Sequence, residues 1–253
     1  MVKESLHIAI IQANLVWETP SQNRLLFAKK INTINHEVDV IVLPELFTTG
    51  FTKNINLAET MNGETVLWMQ NLARKKKAAL VGSLIIKEHS NYYNRLLFVH
   101  PNGDINCYDK HHLFTLSGED KVFTAGDKVL IVAYKGWKIC PLICYDLRFP
   151  TWSNNTYNYD VLLYVASWPQ KRITAWDVLL KARAIENMSY TIGVNRVGQD
   201  GNGFSYIGNS VVIDALGTIV STITPNKEQT EIIPLSYQKQ DNLRQQLGFL
   251  NDI

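Results

Sequence analysis

Cysteines, net charge and long apolar runs are all scarce in this chain, and each scarcity excludes a class of protein. Only three cysteines occur among 253 residues, Cys107, Cys140 and Cys144. So small and odd a number argues against a disulfide framework and predicts a reducing compartment, the cytoplasm. The formal charge of +2 lacks the clustered excess of Lys and Arg that a nucleic-acid surface shows. No stretch approaches the roughly 18 apolar residues that span a bilayer, so we expect neither a nucleic acid nor a membrane as partner.

The chain also lacks the features that mark leaders and domain boundaries. Its start carries Glu4 and an apolar run that is too short for a secretory signal. Internal repeats, low-complexity segments and Pro/Gly-rich linkers are missing, and the length suits one α/β domain. We therefore expect a single domain over residues 1–253.

Strand and helix patterns alternate early in the chain and give way to hairpin patterns later. The alternation predicts parallel strand pairs and the hairpins predict antiparallel ones, so we expect an α/β fold with a mixed sheet or two sheets. The predicted helices are Ser21–Asn35, Thr65–Lys76, Ile173–Met188 and Gln238–Leu247. The predicted strands are His7–Ala13, Val38–Leu43, Ala79–Ile86, Asn94–Val99, Asp104–Asp109, Val129–Tyr134, Trp137–Ile143, Val161–Ala166, Tyr190–Asn195, Ser205–Asp214, Thr218–Ile223 and Glu231–Leu235.

Three reactive side chains follow directly on predicted strands. Glu45 comes after Val40–Leu43 and Pro44, Lys110 ends a hairpin strand, and Cys144 ends Trp137–Ile143. Ligands of open α/β folds bind outside the carboxyl ends of strands. A thiol can act as a nucleophile, a carboxylate can move its proton, and an ammonium can stabilise the oxyanion that forms at a carbonyl. Taken alone, these residues indicate no more than a thiol site, because each type also serves ordinary structural roles.

The segments around these residues resemble the three signature segments of the nitrilase (carbon–nitrogen hydrolase) superfamily, and they follow in the same order. The likeness includes the acid Glu119, which lies between the second and third segments, and it continues beyond the third segment. Among the branches of the superfamily, the bacterial omega-amidases are the most similar, through Ala166–Pro169 and Asn195–Gly198. The three signature segments are Leu43–Phe47, Tyr108–Phe114 and Ile143–Pro150.

The resemblance implies a fold and a mechanism. The fold is a four-layer α-β-β-α sandwich. Cys144 is the expected nucleophile, which forms a thioester, and Glu45 is the expected base and acid. Lys110 and the backbone N–H of Tyr145 are expected to stabilise the oxyanion. Glu119 is expected either to orient Lys110 or the substrate, or to form a plain ion pair. Neither a metal nor another cofactor is implied. The resemblance implies a homodimer or larger homo-oligomer, for which Ile173–Met188 is a candidate interface helix, although its apolar positions would serve an internal core equally well.

The implied substrate is a small amide that carries a carboxylate, of the 2-oxoglutaramate or succinamate type. Trp168 is expected in the wall of the pocket, and Arg172 is a candidate partner for the carboxylate. Arg148 is a second candidate, although a structural pair with Asp146 or another acid is the expected role. An N-carbamoyl amino acid or a nitrile stays open as the substrate of the same site. A non-catalytic binding protein on this fold is the alternative of another class.

Two other constellations are set aside on the sequence. His111 and His112 lack the spacing of a metal site, and in an extended chain they would point to opposite sides. Cys140 and Cys144 would lie roughly 13 Å apart in a strand, too far for a disulfide. Cys140 is therefore interpreted as a core residue.

Overall fold

The computed structural model describes residues 5–252, and two β-sheets that pack face to face form its centre. Glu4, on which the expectation of a leaderless start partly rests, lies outside these residues. The helices are α1 (Pro20–Asn32), α2 (Glu64–Lys76), α3 (Ile173–Glu186) and α4 (Tyr237–Leu247). The strands are β1 (Ser5–Gln12), β2 (Val40–Val42), β3 (Ala79–Glu88), β4 (Asn91–Val99), β5 (Ile105–Asp109), β6 (Val132–Tyr134), β7 (Trp137–Ile143), β8 (Val161–Ala166), β9 (Tyr190–Asn195), β10 (Val197–Gln199), β11 (Ser205–Ile207), β12 (Val211–Ile213) and β13 (Gln229–Ser236).

Both sheets combine parallel and antiparallel pairs, as the strand patterns predict. The first sheet has the order β13-β1-β2-β3-β4-β5, in which β1, β2 and β3 run parallel. The second has the order β12-β9-β8-β7-β6, in which β7, β8 and β9 run parallel. A separate hairpin is formed by β10 and β11.

Alternation along β1 shows how the layers are built. Ile8 and Ile10 pack in the cluster between the two sheets, whereas Ala9 and Ile11 pack with the helices on the other side. Both faces of the strand are buried, which explains its continuous apolar run. The first sheet therefore forms an inner layer with one helical layer outside it.

The helices cover the outer faces of the sheets. From α1, Phe27 and Ile31 pack on the first sheet, and Met69 of α2 joins the same cluster. On the second sheet, Trp176 and Leu180 of α3 are fully buried. The order helix, sheet, sheet, helix is the four-layer sandwich that the resemblance implied. Among residues 5–252, no helix is long and apolar enough to cross a membrane.

Two predicted strands near the end of the chain are wrong. Ser205–Asp214 is not continuous, because Gly208 and Asn209 take left-handed φ angles of 79° and 54° and divide it into β11 and β12, which belong to different sheets. Thr218–Ile223 forms a single bridge, from Ile219 to Ile213, instead of a strand. An apolar run alone does not specify whether a neighbouring strand is available for pairing.

Candidate active site

Glu45 lies in a tight turn after β2 and is completely buried. The next residue, Leu46, has a left-handed φ of 44°, and its N–H donates to the Ser83 hydroxyl over 2.8 Å. The carboxylate Oε2 accepts a hydrogen bond of 2.8 Å from the backbone N–H of Ser167, just after β8. The other oxygen, Oε1, accepts a bond of 2.9 Å from the Lys110 ammonium. The two sheets together therefore fix the orientation of this carboxylate.

Lys110 follows β5 and lies between two buried carboxylates. Its Nζ is 2.9 Å from Glu45 Oε1, and 3.0 and 2.9 Å from the two oxygens of Glu119. Burial alone would lower the pKa of Lys110, but the charges of Glu119 and Glu45 outweigh it and raise this pKa above its ordinary value. Lys110 is therefore a permanent cation in a buried cluster.

Glu119 is held by the backbone as well as by Lys110. It follows Gly118, whose φ of 74° suits glycine, and its Oε2 accepts a bond of 2.6 Å from the Phe114 N–H. Burial raises the pKa of Glu119, and the neighbouring Lys110 charge opposes this change. The side chain is fully buried and does not line the cavity itself, but it bonds to two residues that do, Lys110 and Phe114.

Cys144 stands at the end of β7, in a backbone conformation that few side chains adopt. Its φ is 44°, at the point where the strand turns into a short 3₁₀ helix, Cys144–Arg148. A non-glycine residue in this region is strained by about 1–3 kcal/mol, so the surrounding structure must hold it there. The turn places Cys144 on the lining of a cavity together with Lys110.

The surroundings of Cys144 favour the neutral thiol over the thiolate. Burial raises the pKa of Cys144 well above its ordinary value, the Glu45 charge raises it further, and Lys110 only partly opposes them. A nucleophilic attack by this thiol therefore requires a neighbouring base, and Glu45 is the carboxylate that bonds to the thiol.

Asp146 ties the segment that carries Lys110 to the turn that carries Cys144. Its fully buried carboxylate accepts bonds from the Tyr108 hydroxyl at 2.8 Å, the His112 N–H at 2.9 Å and the Ile143 N–H at 3.1 Å. The His112 ring nitrogen Nδ1 lies 2.9 Å from the same carboxylate. A structural pair of Asp146 with Arg148 was expected from the sequence, and this expectation is wrong because these groups occupy the carboxylate.

The two histidines pack beside this network. The ring of His111 stacks on Trp152 and that of His112 stacks on Phe149, each with centroids 3.6 Å apart. Neither histidine lines the cavity at Cys144. Cys140, three steps back along β7 from Ile143, is buried in the core, as interpreted from the sequence.

The cavity above Cys144 has a volume of about 420 Å³. Its wall combines aromatic and apolar side chains with a few polar groups, which is typical of a small-molecule site. Trp168 lies in this wall, where its backbone N–H donates to Asn195 Oδ1 over 2.8 Å and fixes the segment after β8. The lining residues include Lys53, Lys110, Leu116, Cys144, Tyr145, Arg148, Trp168, Arg172 and Phe204.

The lining residues of the cavity differ in exposure. We call the buried Lys110 and Cys144, together with the carboxylates that bond to them, the floor of the cavity. The partly or fully exposed lining residues form its mouth.

Two arginines belong to the mouth. The guanidinium of Arg148 is 5.0 Å from the Trp168 ring centroid, and that of Arg172 is 4.9 Å from the centroid of Phe114. Both are partly buried, and neither forms a salt bridge within residues 5–252. Cations stacked on aromatic rings and left without a carboxylate suit an anionic ligand.

One residue of the charged cluster escaped the sequence analysis. Asn94 of β4 is completely buried, and its side-chain Nδ2 donates to Glu45 over 2.9 Å and to Glu119 over 3.3 Å. A lone Asn in a strand carries no chemical signature. Only the register of β4, whose neighbour is β5 with Lys110 at its end, could have drawn attention to it.

Comparison with known proteins places the chain in a family. The sequence profile of the family described as carbon–nitrogen hydrolase matches residues 7–245. The chain belongs to the carbon–nitrogen hydrolase family. The family and the four-layer fold predicted from the sequence are thus confirmed.

Individual members of the carbon–nitrogen hydrolase family are similar over nearly the whole chain. Omega-amidase YafV of Yersinia enterocolitica is 40% identical over 98% of this chain and 96% of that protein. The 2-oxoglutaramate amidase of Bacillus subtilis is 33% identical over 85% of each. Among solved structures, the CN-hydrolase superfamily protein XC1258 of Xanthomonas campestris superposes with a TM-score of 0.96 at 38% identity, over 98% of this chain and 97% of the other.

Proposed function

We propose that this protein hydrolyses the terminal amide of a small carboxylate-bearing amide, of the 2-oxoglutaramate or succinamate type, to the acid and ammonia. The observation that carries the proposal is that Glu45 bonds to Lys110 and to Cys144, both of which line a cavity. The wall of this cavity also holds two arginines that form no salt bridge within residues 5–252. Similarity to an omega-amidase and a 2-oxoglutaramate amidase supports the same substrate class.

In the proposed first half-reaction, Glu45 takes the proton of the Cys144 thiol while the sulfur attacks the amide carbon. The carbonyl oxygen becomes an oxyanion, which Lys110 and the backbone N–H of Tyr145 stabilise. Glu45 then gives its proton to the amide nitrogen, the C–N bond breaks, and ammonia leaves a thioester on Cys144. One carboxylate performs both transfers because the acid and base steps alternate.

In the second half-reaction, water replaces ammonia as the partner of Glu45. The carboxylate accepts a proton from water, and the resulting hydroxide attacks the thioester carbon. The C–S bond then breaks, Glu45 returns the proton to the Cys144 sulfur, and the acid leaves. Glu119 is assigned a positioning role, because it bonds to Lys110 and does not line the cavity. This favours orientation of Lys110 over contact with the substrate.

Recognition of the substrate is assigned to the mouth of the cavity. Arg148 and Arg172 would bind the free carboxylate, and Trp168 would pack against the carbon chain between the carboxylate and the amide. Both guanidinium groups rest on aromatic rings, which orients them without neutralising their charge.

The test is release of ammonia by the purified protein from 2-oxoglutaramate, succinamate, glutamine, an N-carbamoyl amino acid and a nitrile. We expect turnover of the first two, and complete loss of that turnover in Cys144→Ala. Activity on the carbamoyl compound or nitrile alone would retain the site and overturn the substrate. Inactivity on every compound would favour a binding protein.

We propose that residues 1–253 form one catalytic domain. The family match spans residues 7–245, and the wall of one cavity draws on residues from Phe51 to Tyr206. Limited proteolysis tests this, because a single domain should resist cleavage into stable active fragments.

We further propose that two copies of the chain associate through the outer face of α3. Val178 and Ile185 are 60% and 49% exposed, and Leu216 and Ile219 extend the same apolar surface with 56% and 60% exposure. Light scattering should give twice the 28.8 kDa of the chain, and Ile219→Asp should lower the mass to that of one chain.

A cytoplasmic location completes the proposal. It is supported by the three cysteines, all of which are free thiols in the structure. Cell fractionation should recover the ammonia-releasing activity with cytoplasmic marker enzymes.

A further inference from the structure

Asn94 lies beside Lys110 and bonds to both buried carboxylates. Its backbone carbonyl accepts the Lys110 N–H over 3.0 Å, so the two residues sit side by side where β4 passes the end of β5. Its side-chain Nδ2 lies 2.9 Å from Glu45 Oε1 and 3.3 Å from Glu119 Oε1. One amide group therefore bridges the two carboxylates that also share the Lys110 ammonium.

The other end of this amide has no comparable role. Asn94 Oδ1 is buried and has no hydrogen-bond partner among residues 5–252. An unpaired buried oxygen is unfavourable, and turning the amide round would place this oxygen against two carboxylates. The orientation of the side chain is therefore set by the demand for a donor at the carboxylates.

The charges around Glu45 explain why a neutral donor suits this place. Three titratable groups face Glu45: Lys110 at the end of β5, Glu119 in the short helix after Gly118, and Cys144 in the turn after β7. Two carboxylates and one ammonium leave the cluster one positive charge short. An amide N–H stabilises the ionised carboxylates without competing with Lys110 as a second cation would.

We propose that Asn94 is a positioning residue that holds the Glu45 carboxylate in place and directed at the Cys144 thiol. The amide holds Oε1 while the Ser167 N–H holds Oε2, so both oxygens of the base are fixed before the thiol proton moves. The inference rests on the role of Glu45 in the proposed function. It adds a fourth member to the charged cluster.

Two variants separate the donor from the shape of the side chain. Asn94→Ala removes both, whereas Asn94→Leu removes the donor and retains a branched side chain of similar size. The first measurement is the pH profile of Cys144 alkylation by iodoacetamide, read by mass spectrometry on the Cys144 peptide so that the exposed Cys107 does not contribute. This profile needs no substrate, because attack of the Cys144 thiol on iodoacetamide depends on the carboxylate that bonds to it.

We expect the acidic limb of the profile to move about one pH unit upward in both variants, since a hydrogen bond to a charged group is lost. Ammonia release should show a kcat about 10- to 100-fold lower, because the base is less well placed, with little change in KM. Asn155→Ala is the matched control. Asn155 is also buried, but its side chain bonds to the backbone of Tyr159 and Asn187, so its loss should leave the limb in place.

Each outcome decides between the inference and the proposed function. A limb that stays in place in folded Asn94→Ala or Asn94→Leu overturns the inference. Loss of the native circular dichroism spectrum in both variants also overturns it, because Asn94 would then be a structural residue. A shifted limb in a protein whose wild type releases no ammonia supports the role of Asn94 and overturns the substrate assignment.

Discussion

The floor and the mouth of the cavity are built in opposite ways. At the floor, Glu45, Lys110 and Glu119 are at most 1% exposed, and each charge touches an opposite charge. At the mouth, Leu116 and Phe204 are 82% and 44% exposed. The arginines there lack carboxylate partners within the described part of the chain. The floor is complete without a ligand, whereas the mouth has charges that a ligand can satisfy.

The difference follows from the elements that supply the side chains. The floor is drawn from strand ends of both sheets, where dense packing fixes the backbone. The mouth is drawn largely from connecting segments, including the one that follows β8 and the loop between β10 and β11. Rigid elements suit groups that must be placed accurately for bond making, and loops suit groups that select a substrate.

Removal of the base should have the largest effect on turnover, because it removes the proton acceptor from the floor. Glu45→Gln keeps the shape of the side chain but cannot accept the thiol proton, so kcat should fall by about 100- to 10,000-fold. Glu119→Gln is the matched control, with a smaller loss because it acts through Lys110. Equal losses in steady-state ammonia release would show that Glu45 has no special chemical role.

Removal of the buried cation should destabilise the protein, whereas removal of an exposed cation at the mouth should not. Lys110→Met leaves two buried carboxylates unpaired, and the free energy of unfolding should fall by about 3–5 kcal/mol in urea titrations. Lys53→Met removes a lysine of the same cavity that is exposed at the mouth, and it should stay close to wild type. Similar destabilisation by both variants would contradict a preorganised floor.

A smaller effect, on the pH dependence of stability, should come from the buried thiol of Cys140. Burial raises the pKa of Cys140 far above its ordinary value of 9.0. The folded chain therefore keeps this proton where the unfolded chain releases it. The stability that this difference contributes is fully present below about pH 9, and it is lost as the pH rises toward the pKa of Cys140 in the folded chain.

Urea titrations between pH 8 and pH 10.5 measure this dependence. Above pH 9, Cys140→Ala should lose less unfolding free energy per pH unit than wild type, by up to about 1.4 kcal/mol. Identical slopes for the two proteins would show that Cys140 ionises equally in both states.

The floor could be predicted from the sequence to a far greater extent than the mouth. Glu45, Lys110 and Cys144 each follow a predicted strand, and a strand end is a position that the sequence pattern locates. Asn94 was missed because its role depends on the register of neighbouring strands, to which a single sequence gives no direct access. The same limit explains the break at Gly208, where two sheets receive parts of one predicted strand.

Arg148 illustrates why the mouth resists prediction. Its nearness in sequence to Asp146 suggested an ion pair, but the short 3₁₀ helix directs the two side chains apart. Asp146 points into the network with Tyr108 and His112, while Arg148 reaches the Trp168 ring. A partner in a loop is chosen by the path of the backbone rather than by the distance along the chain.

The division of labour between floor and mouth is tested most directly by one ratio, kcat/KM for succinamate over kcat/KM for butyramide. These amides differ in a carboxylate that replaces a methyl group. In the double variant Arg148→Met, Arg172→Met, we predict that the ratio falls by about 10- to 100-fold with butyramide turnover retained. In Glu45→Gln, both rates should fall and the ratio should stay constant. A ratio that is unchanged in the arginine variant, or that falls in Glu45→Gln, would contradict the account.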